Sequence, residues 1–228
     1  YPNSEAGRLA AVEDYVPSPA DSTVGEVREG DPLRVLGWAE REGQLFIAYA
    51  AGNAGNVHGV LCLDRGWNGK YQPVNASLDP FPYTAGVMAS HVWVKNTDEQ
   101  VFALMGDGCR EIYGAELTFR LRLPGADRVE TRRWTCAVTE PDFLLVLSRA
   151  ELAEKLGLPA GQDFESHGVE VAFLDREGKD VTEQYRDDSV EQSWSGGKST
   201  AERFLLYWFL GLIAAAGGGM AYYFLRRD

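Results

Sequence analysis

The chain has 228 residues, 45% of them hydrophobic and 11% aromatic, with a formal net charge of −12. That apolar content supplies a packed core and excludes a disordered chain, and the length allows one or two domains. Residues 1–203 alone carry −13, which excludes nucleic acid or an anionic membrane face as a partner of that surface.

In chain order, residues 7–16 predict a short helix with Leu9, Val12 and Val16 on one stripe, ended by Pro17 and Pro19. Leu33–Trp38 and Gln44–Ala50 predict two strands around the turn 40–43, and Val57–Asp64 a third. Asn68-Gly69 then suits positive φ in a tight turn. Residues 72–90, with three prolines, read as an irregular excursion. Candidate strands follow at His91–Lys95, Val101–Gly106 and Glu111–Leu123. In the last of these, Leu117, Phe119, Leu121 and Leu123 alternate with Thr118, Arg120 and Arg122, the period of a half-buried strand. Val129–Val138 and Phe143–Leu147 are strand-like. Ser148-Arg149-Ala150-Glu151 opens a helix as a capping box, which Gly157 and Pro159 close. Gly168–Leu174 and Lys179–Tyr185 predict a final hairpin around the turn 175–178.

The predicted fold is mainly β: an antiparallel sandwich or open barrel with one or two short helices, plus one carboxy-terminal transmembrane helix. Residues 1–192 form the β-rich domain, with a subdomain split near 148–158 left open; 193–203 are a polar stalk, 204–225 the span and 226–228 a tail. Phe204–Leu225 holds 22 residues without an ionisable acid or base. As a helix that is ~33 Å, enough to cross a hydrocarbon core of ~30 Å. Tyr207 and Trp208 near one end, and Tyr222 and Tyr223 near the other, fit the two lipid interfaces. Arg226 and Arg227 favour the cytoplasmic side, which puts residues 1–203 outside. The chain begins at Tyr1 rather than Met, so an upstream signal decides between this topology and a tail-anchored protein facing the cytosol. Gly211, Ala215 and Gly219 recur every four residues and would let a second helix approach closely.

Chemistry is sparsely marked. His58, His91 and His167 lie far apart in sequence and read as surface or satisfied core residues. No GxSxG, HExxH or SxxK motif is present. The glycine-rich run 52–59 reads as a loop between strands, and Gly197-Lys198-Ser199 lacks the earlier glycine of a phosphate loop. The acidic residues around 175–188 read as turn charges, because Gly178 falls too early for a calcium loop. Cys62, Cys109 and Cys136 lack CxxC spacing and read as small hydrophobes, with one disulfide plus a free thiol as the alternative. Trp38, Trp67, Trp93, Trp134 and Trp194 are expected mostly in the core, and a sugar platform is the lesser reading. No cofactor, metal or catalytic residue is predicted.

Leu45–Val74 carries a strand pair, a glycine-rich link and the turn Gly66-Trp67-Asn68-Gly69-Lys70-Tyr71. It resembles uncharacterised membrane-anchored envelope proteins of Gram-positive bacteria, a resemblance that implies an extracytoplasmic domain and names no activity. The expected function is a single-pass, membrane-anchored binding module whose partners are lipid, and a protein or second copy reached through the helix. The alternatives are an anchored envelope hydrolase and the tail-anchored protein.

Overall fold

The computed structural model describes residues 1–15, 32–41, 43–51, 57–77, 79–93, 100–125 and 128–188. These residues are mainly β, in antiparallel sheets with two helices: α1 (Glu5–Tyr15), β1 (Leu33–Arg41), β2 (Gln44–Ala51), β3 (Val57–Arg65), β4 (Tyr71–Ala76), β5 (Asp79–Pro80), β6 (Gly86–Trp93), β7 (Gln100–Asp107), β8 (Gly114–Arg122), β9 (Val129–Ala137), β10 (Phe143–Leu147), α2 (Arg149–Lys155) and β11 (Glu165–Leu174). The first sheet runs β1-β2-β3-β4 with β5 beside β3; the second is β10-β7-β6 and the third β11-β8-β9.

The run of apolar residues in β2 and β3 has a direct cause: both faces of the first sheet are buried. Leu45, Ile47, Tyr49, Leu61 and Leu63 join Ala11 and Val12 of α1 in one cluster. On the opposite face, Phe46, Ala48, Ala50, Val60 and Cys62 pack against Val92, Val101, Ala103, Met105 and Val146 of the second sheet. The second sheet in turn gives Val87, Phe102, Leu104 and Leu147 to a third cluster. There they meet Leu117, Phe119, Leu121 and Phe173 of the third sheet and Leu152 of α2. The second sheet is therefore the middle layer, and its strands alternate between two apolar environments rather than between core and water. Each fully buried Leu or Phe contributes roughly 1.5–3 kcal/mol.

Several expectations are met. Leu117, Phe119 and Leu121 are fully buried while Arg120 and Arg122 are exposed. Gly69 has φ 74°. The capping box forms, with Ser148 Oγ accepting from Glu151 N–H and Glu151 accepting from Ser148 N–H.

Others need correction. Residues 72–90 are not an irregular excursion, since β4, β5 and the start of β6 lie there. Pro73 is tolerated because β4 is an edge strand, where the missing N–H breaks no ladder, and the β3–β4 register shifts beside it. Lys179–Tyr185 is not a strand. Thr182 Oγ1 accepts the Phe173 N–H at 2.8 Å, Asp180 Oδ1 accepts the Thr182 N–H, and Thr182–Gln184 coils into a 3₁₀ turn. In α1 the buried face is Gly7, Ala11 and Val12 rather than a stripe through Leu9; Val16 lies outside the described residues. The cysteines, by contrast, follow the expected reading as small hydrophobes: all three are free thiols, Cys62 and Cys109 buried and Cys136 partly so.

One tight contact yields a test. A Cβ on Gly59 would fall 2.1 Å from the Ser77 carbonyl oxygen and 2.5 Å from the Tyr49 hydroxyl, which itself donates to that carbonyl at 3.0 Å. Gly59→Ala is expected to lose about 1–3 kcal/mol, the usual cost of overpacking. A denaturation midpoint equal to the wild type would show that β3 shifts freely.

Candidate functional site: a polar cleft between two sheets

Two polar constellations interrupt these apolar layers. The first is enclosed except for the Arg34 side chain. Arg34 on β1 and His58 on β3 both flank Ala50 of β2 on the face toward the second sheet. The small alanine leaves room for Asp107, the last residue of β7, to reach in. Asp107 accepts from Arg34 at 2.7 and 2.8 Å and lies 2.7 Å from His58 Nε2. Burial alone would raise the Asp107 pKa, but the hydrogen bonds from His58 and Arg34 outweigh it and hold the carboxyl below its ordinary value. His58 is 1% exposed and packs on the Phe81 ring, with centroids 4.0 Å apart. A histidine–carboxylate pair this enclosed clamps two sheets and offers no face to a substrate.

The second constellation is open. A cleft of about 340 Å³ lies between the second and third sheets, lined by His91, Gln100, Phe102, Arg149, Leu152 and Phe164 together with Glu165, Ser166 and His167. Strand register explains why these side chains converge. His91 opposes Phe102 across β6 and β7, so it shares the face of that buried ring, 5.5 Å away. On β11 the register shifts between Ser166 and Val169: Ser166 opposes Leu121 while Val169 opposes Phe119. One residue too many is therefore accommodated around His167-Gly168, and Gly168 adopts φ 143° with open space where a Cβ would stand. The bulge turns Ser166 onto the apolar face that Leu117, Phe119 and Leu121 share across the ladder. A regular strand would have sent it outward.

Arg149 opens α2. Its terminal nitrogen pairs with Asp163 and donates to the Phe164 carbonyl, and its guanidinium stacks 4.9 Å from the Phe164 ring centre. Its Nε is left over. Among the described residues, four buried side-chain polar atoms lack a hydrogen-bond partner: His58 Nδ1, His91 Nε2, Arg149 Nε and Ser166 Oγ. Three of the four belong to residues lining this cleft. Each such atom costs about 1–3 kcal/mol when left unpaired, so their concentration at one place calls for a reason. Burial and then the Arg149 charge lower the His91 pKa, which keeps the ring neutral and able to donate or accept. His167 stands at the rim, 3.9 Å from Glu165.

His167 is exposed, as expected of a surface residue, whereas His58 and His91 depart from the expectation because each keeps a buried ring nitrogen without a partner. Among the described residues, Trp38 and Trp67 depart too. Trp67 is fully exposed on its turn and Trp38 about half exposed beneath the Arg8 guanidinium, while Trp134 packs partly against the core. The acidic turn behaves as read, with Asp175 Oδ1 accepting from the Glu177 and Lys179 N–H groups.

Other predicted positions lie outside the described residues: Gly211, Ala215 and Gly219, and Tyr207, Trp208, Tyr222, Tyr223, Arg226 and Arg227. Among the described residues no helix is long and apolar enough to cross a membrane, and no histidine, cysteine and carboxylate group is arranged to hold a metal.

Asp107 had a sequence signal, a carboxylate closing the apolar run Val101–Gly106, and the isolated Gly168 inside a strand pattern signals a bulge. Nothing in the sequence alone joins His91, Arg149 and Ser166. No protein family matches the chain, and neither a curated protein nor a solved structure matches it.

Proposed function

We propose that the chain is a membrane-tethered binding module displaying its β-rich domain outside the cytoplasm. The observation that carries the binding reading is the cleft, a space of ligand size lined by three residues that each keep a buried polar atom without a protein partner. Tethering is supported by the uncharged run Phe204–Leu225 behind a polar stalk. The small-residue repeat Gly211, Ala215, Gly219 supports association of that helix with a second copy or another membrane protein. Face-to-face packing of the sheets favours the sandwich over the open barrel for the domain. A hydrolase reading has one observation behind it, that His91 and Ser166 share the cleft. A serine nucleophile needs a base within hydrogen-bond reach, and Ser166 Oγ has no such partner, so binding is the better-supported role.

A single engineered thiol tests the tether. Burial pushes the Cys62 and Cys109 thiols up to about 12, so they stay unreactive, and Cys136→Ala removes the third. With Ser195→Cys added in the full chain, a membrane-impermeant maleimide is expected to label intact cells. Labelling only after lysis would replace this topology with the tail-anchored one. Disulfide crosslinking through the same thiol is expected to fall several-fold when Gly211 and Gly219 become leucine, and unchanged crosslinking would remove helix association.

A further inference from the structure

From the balance of groups around the cleft, we infer that it takes a neutral, polyhydroxylated ligand, a sugar ring or a similar polyol. This inference rests on the binding reading above and names its ligand class.

The unpartnered atoms differ in kind. Arg149 Nε is a donor, Ser166 Oγ donates and accepts, and the neutral His91 ring does either according to its tautomer. Gln100 adds an amide with both functions. Hydroxyl groups answer such a mixed set because each is at once donor and acceptor.

Charge excludes the alternatives. An anion would find Arg149 already paired with Asp163. A cation would meet the Arg149 guanidinium itself. The strongly acidic chain adds a general bias against anions. The remaining lining, Phe102, Leu152 and Phe164, is apolar and suits the C–H faces of a sugar ring. A volume of about 340 Å³ lies at the small end of ligand pockets, enough for one or two rings.

The exposed Trp67 turn is the nearest competitor, but the polar neighbours there already have partners: Gln44 Nε2 donates to Asp64, and Asn68 Oδ1 accepts from the Lys70 N–H. The unsatisfied groups belong to residues that line the cleft.

The test uses the full-length chain in a detergent without a sugar headgroup, with histidine rings labelled for NMR and His91 assigned through His91→Phe. Glucose, N-acetylglucosamine, inorganic phosphate and acetate are titrated separately. A sugar is expected to shift the His91 signals saturably with Kd in the low millimolar range, the affinity that about a dozen non-hydrogen atoms provide. The His58 signals should stay in place. Ser166→Ala should weaken binding about tenfold, the worth of one hydrogen bond. Gln100→Ala serves as the second variant should the first perturb the bulge.

Saturation by phosphate or acetate, alone or alongside sugar, would overturn the neutral-ligand inference and leave the binding reading standing. No saturation by any of the four would overturn both. A sugar response indifferent to both substitutions would move the site elsewhere and overturn the assignment to this cleft.

Discussion

Asp107→Ala is expected to lower unfolding free energy by about 3 kcal/mol, the low end of the range for removing one partner of a buried charged cluster. The asymmetry between the two survivors sets that figure. The Arg34 side chain is about half exposed and regains water, so its charge is screened and adds little. His58 is 1% exposed and would be left with neither ring nitrogen hydrogen-bonded. Urea denaturation of the wild type, Asp107→Ala and Asp107→Asn reads the effect. The amide keeps the volume and one acceptor, so it should fall between the other two. A loss below about 1 kcal/mol for the alanine variant would mean that the clasp contributes no more than a surface ion pair.

The same measurement against pH has a defined sign. The Asp107 carboxyl is held below its ordinary value, so its contribution is complete above about pH 4 and disappears as acid carries the pH through the lowered folded value. The difference between wild type and Asp107→Ala should therefore shrink in strong acid and stay constant near neutrality. His91 adds an earlier step of the same sign. Its folded pKa also lies below the ordinary imidazole value near 6.5, so stability starts to fall as the pH drops below that point in either protein. The substitution removes only the more acidic of the two steps.

What could be read from the sequence follows from how locally each feature is determined. The capping box is four consecutive residues whose bonds close on one another, and the alternation in β8 needs only one wet face and one dry one. β4 and β5 escaped because proline argues against a strand in general, and only the sheet order reveals that β4 lies at an edge. The 3₁₀ turn at Thr182 escaped because a hydroxyl took the place of a strand partner, a substitution invisible to hydrophobic period. The cleft escaped for a deeper reason. His91 is a plausible solvent-facing residue until register places it opposite Phe102, and Ser166 would face away but for one extra residue at His167-Gly168. His91 and Ser166 lie 75 residues apart, and they meet only through two separate pairings, His91 with Phe102 and Ser166 with Leu121, whose registers no local pattern encodes.

Phe102→Ala is expected to be the costliest single truncation near the cleft, about 3–5 kcal/mol, because it removes transfer free energy and leaves a cavity that two β-sheets cannot close. The ring is 1% exposed and stands among Phe119 at 5.3 Å, Trp134 at 6.4 Å and His91 at 5.5 Å between ring centres. Phe102→Leu keeps most of the volume and should lose less than half as much. The second readout is the His91 titration followed by NMR. Burial is the first cause of its lowered pKa and the Arg149 charge the second. Removing the ring beneath it should admit water and return the value toward 6.5, whereas Arg149→Met should return it by a smaller amount. A Phe102→Ala protein with large stability loss and an unmoved His91 titration would show that the imidazole is desolvated by its other neighbours. The cleft would then be separable from the core. A parallel change in both would mean that the residue joining the second and third sheets also sets the protonation of the group that faces the ligand, so no substitution at Phe102 could alter binding without altering the fold.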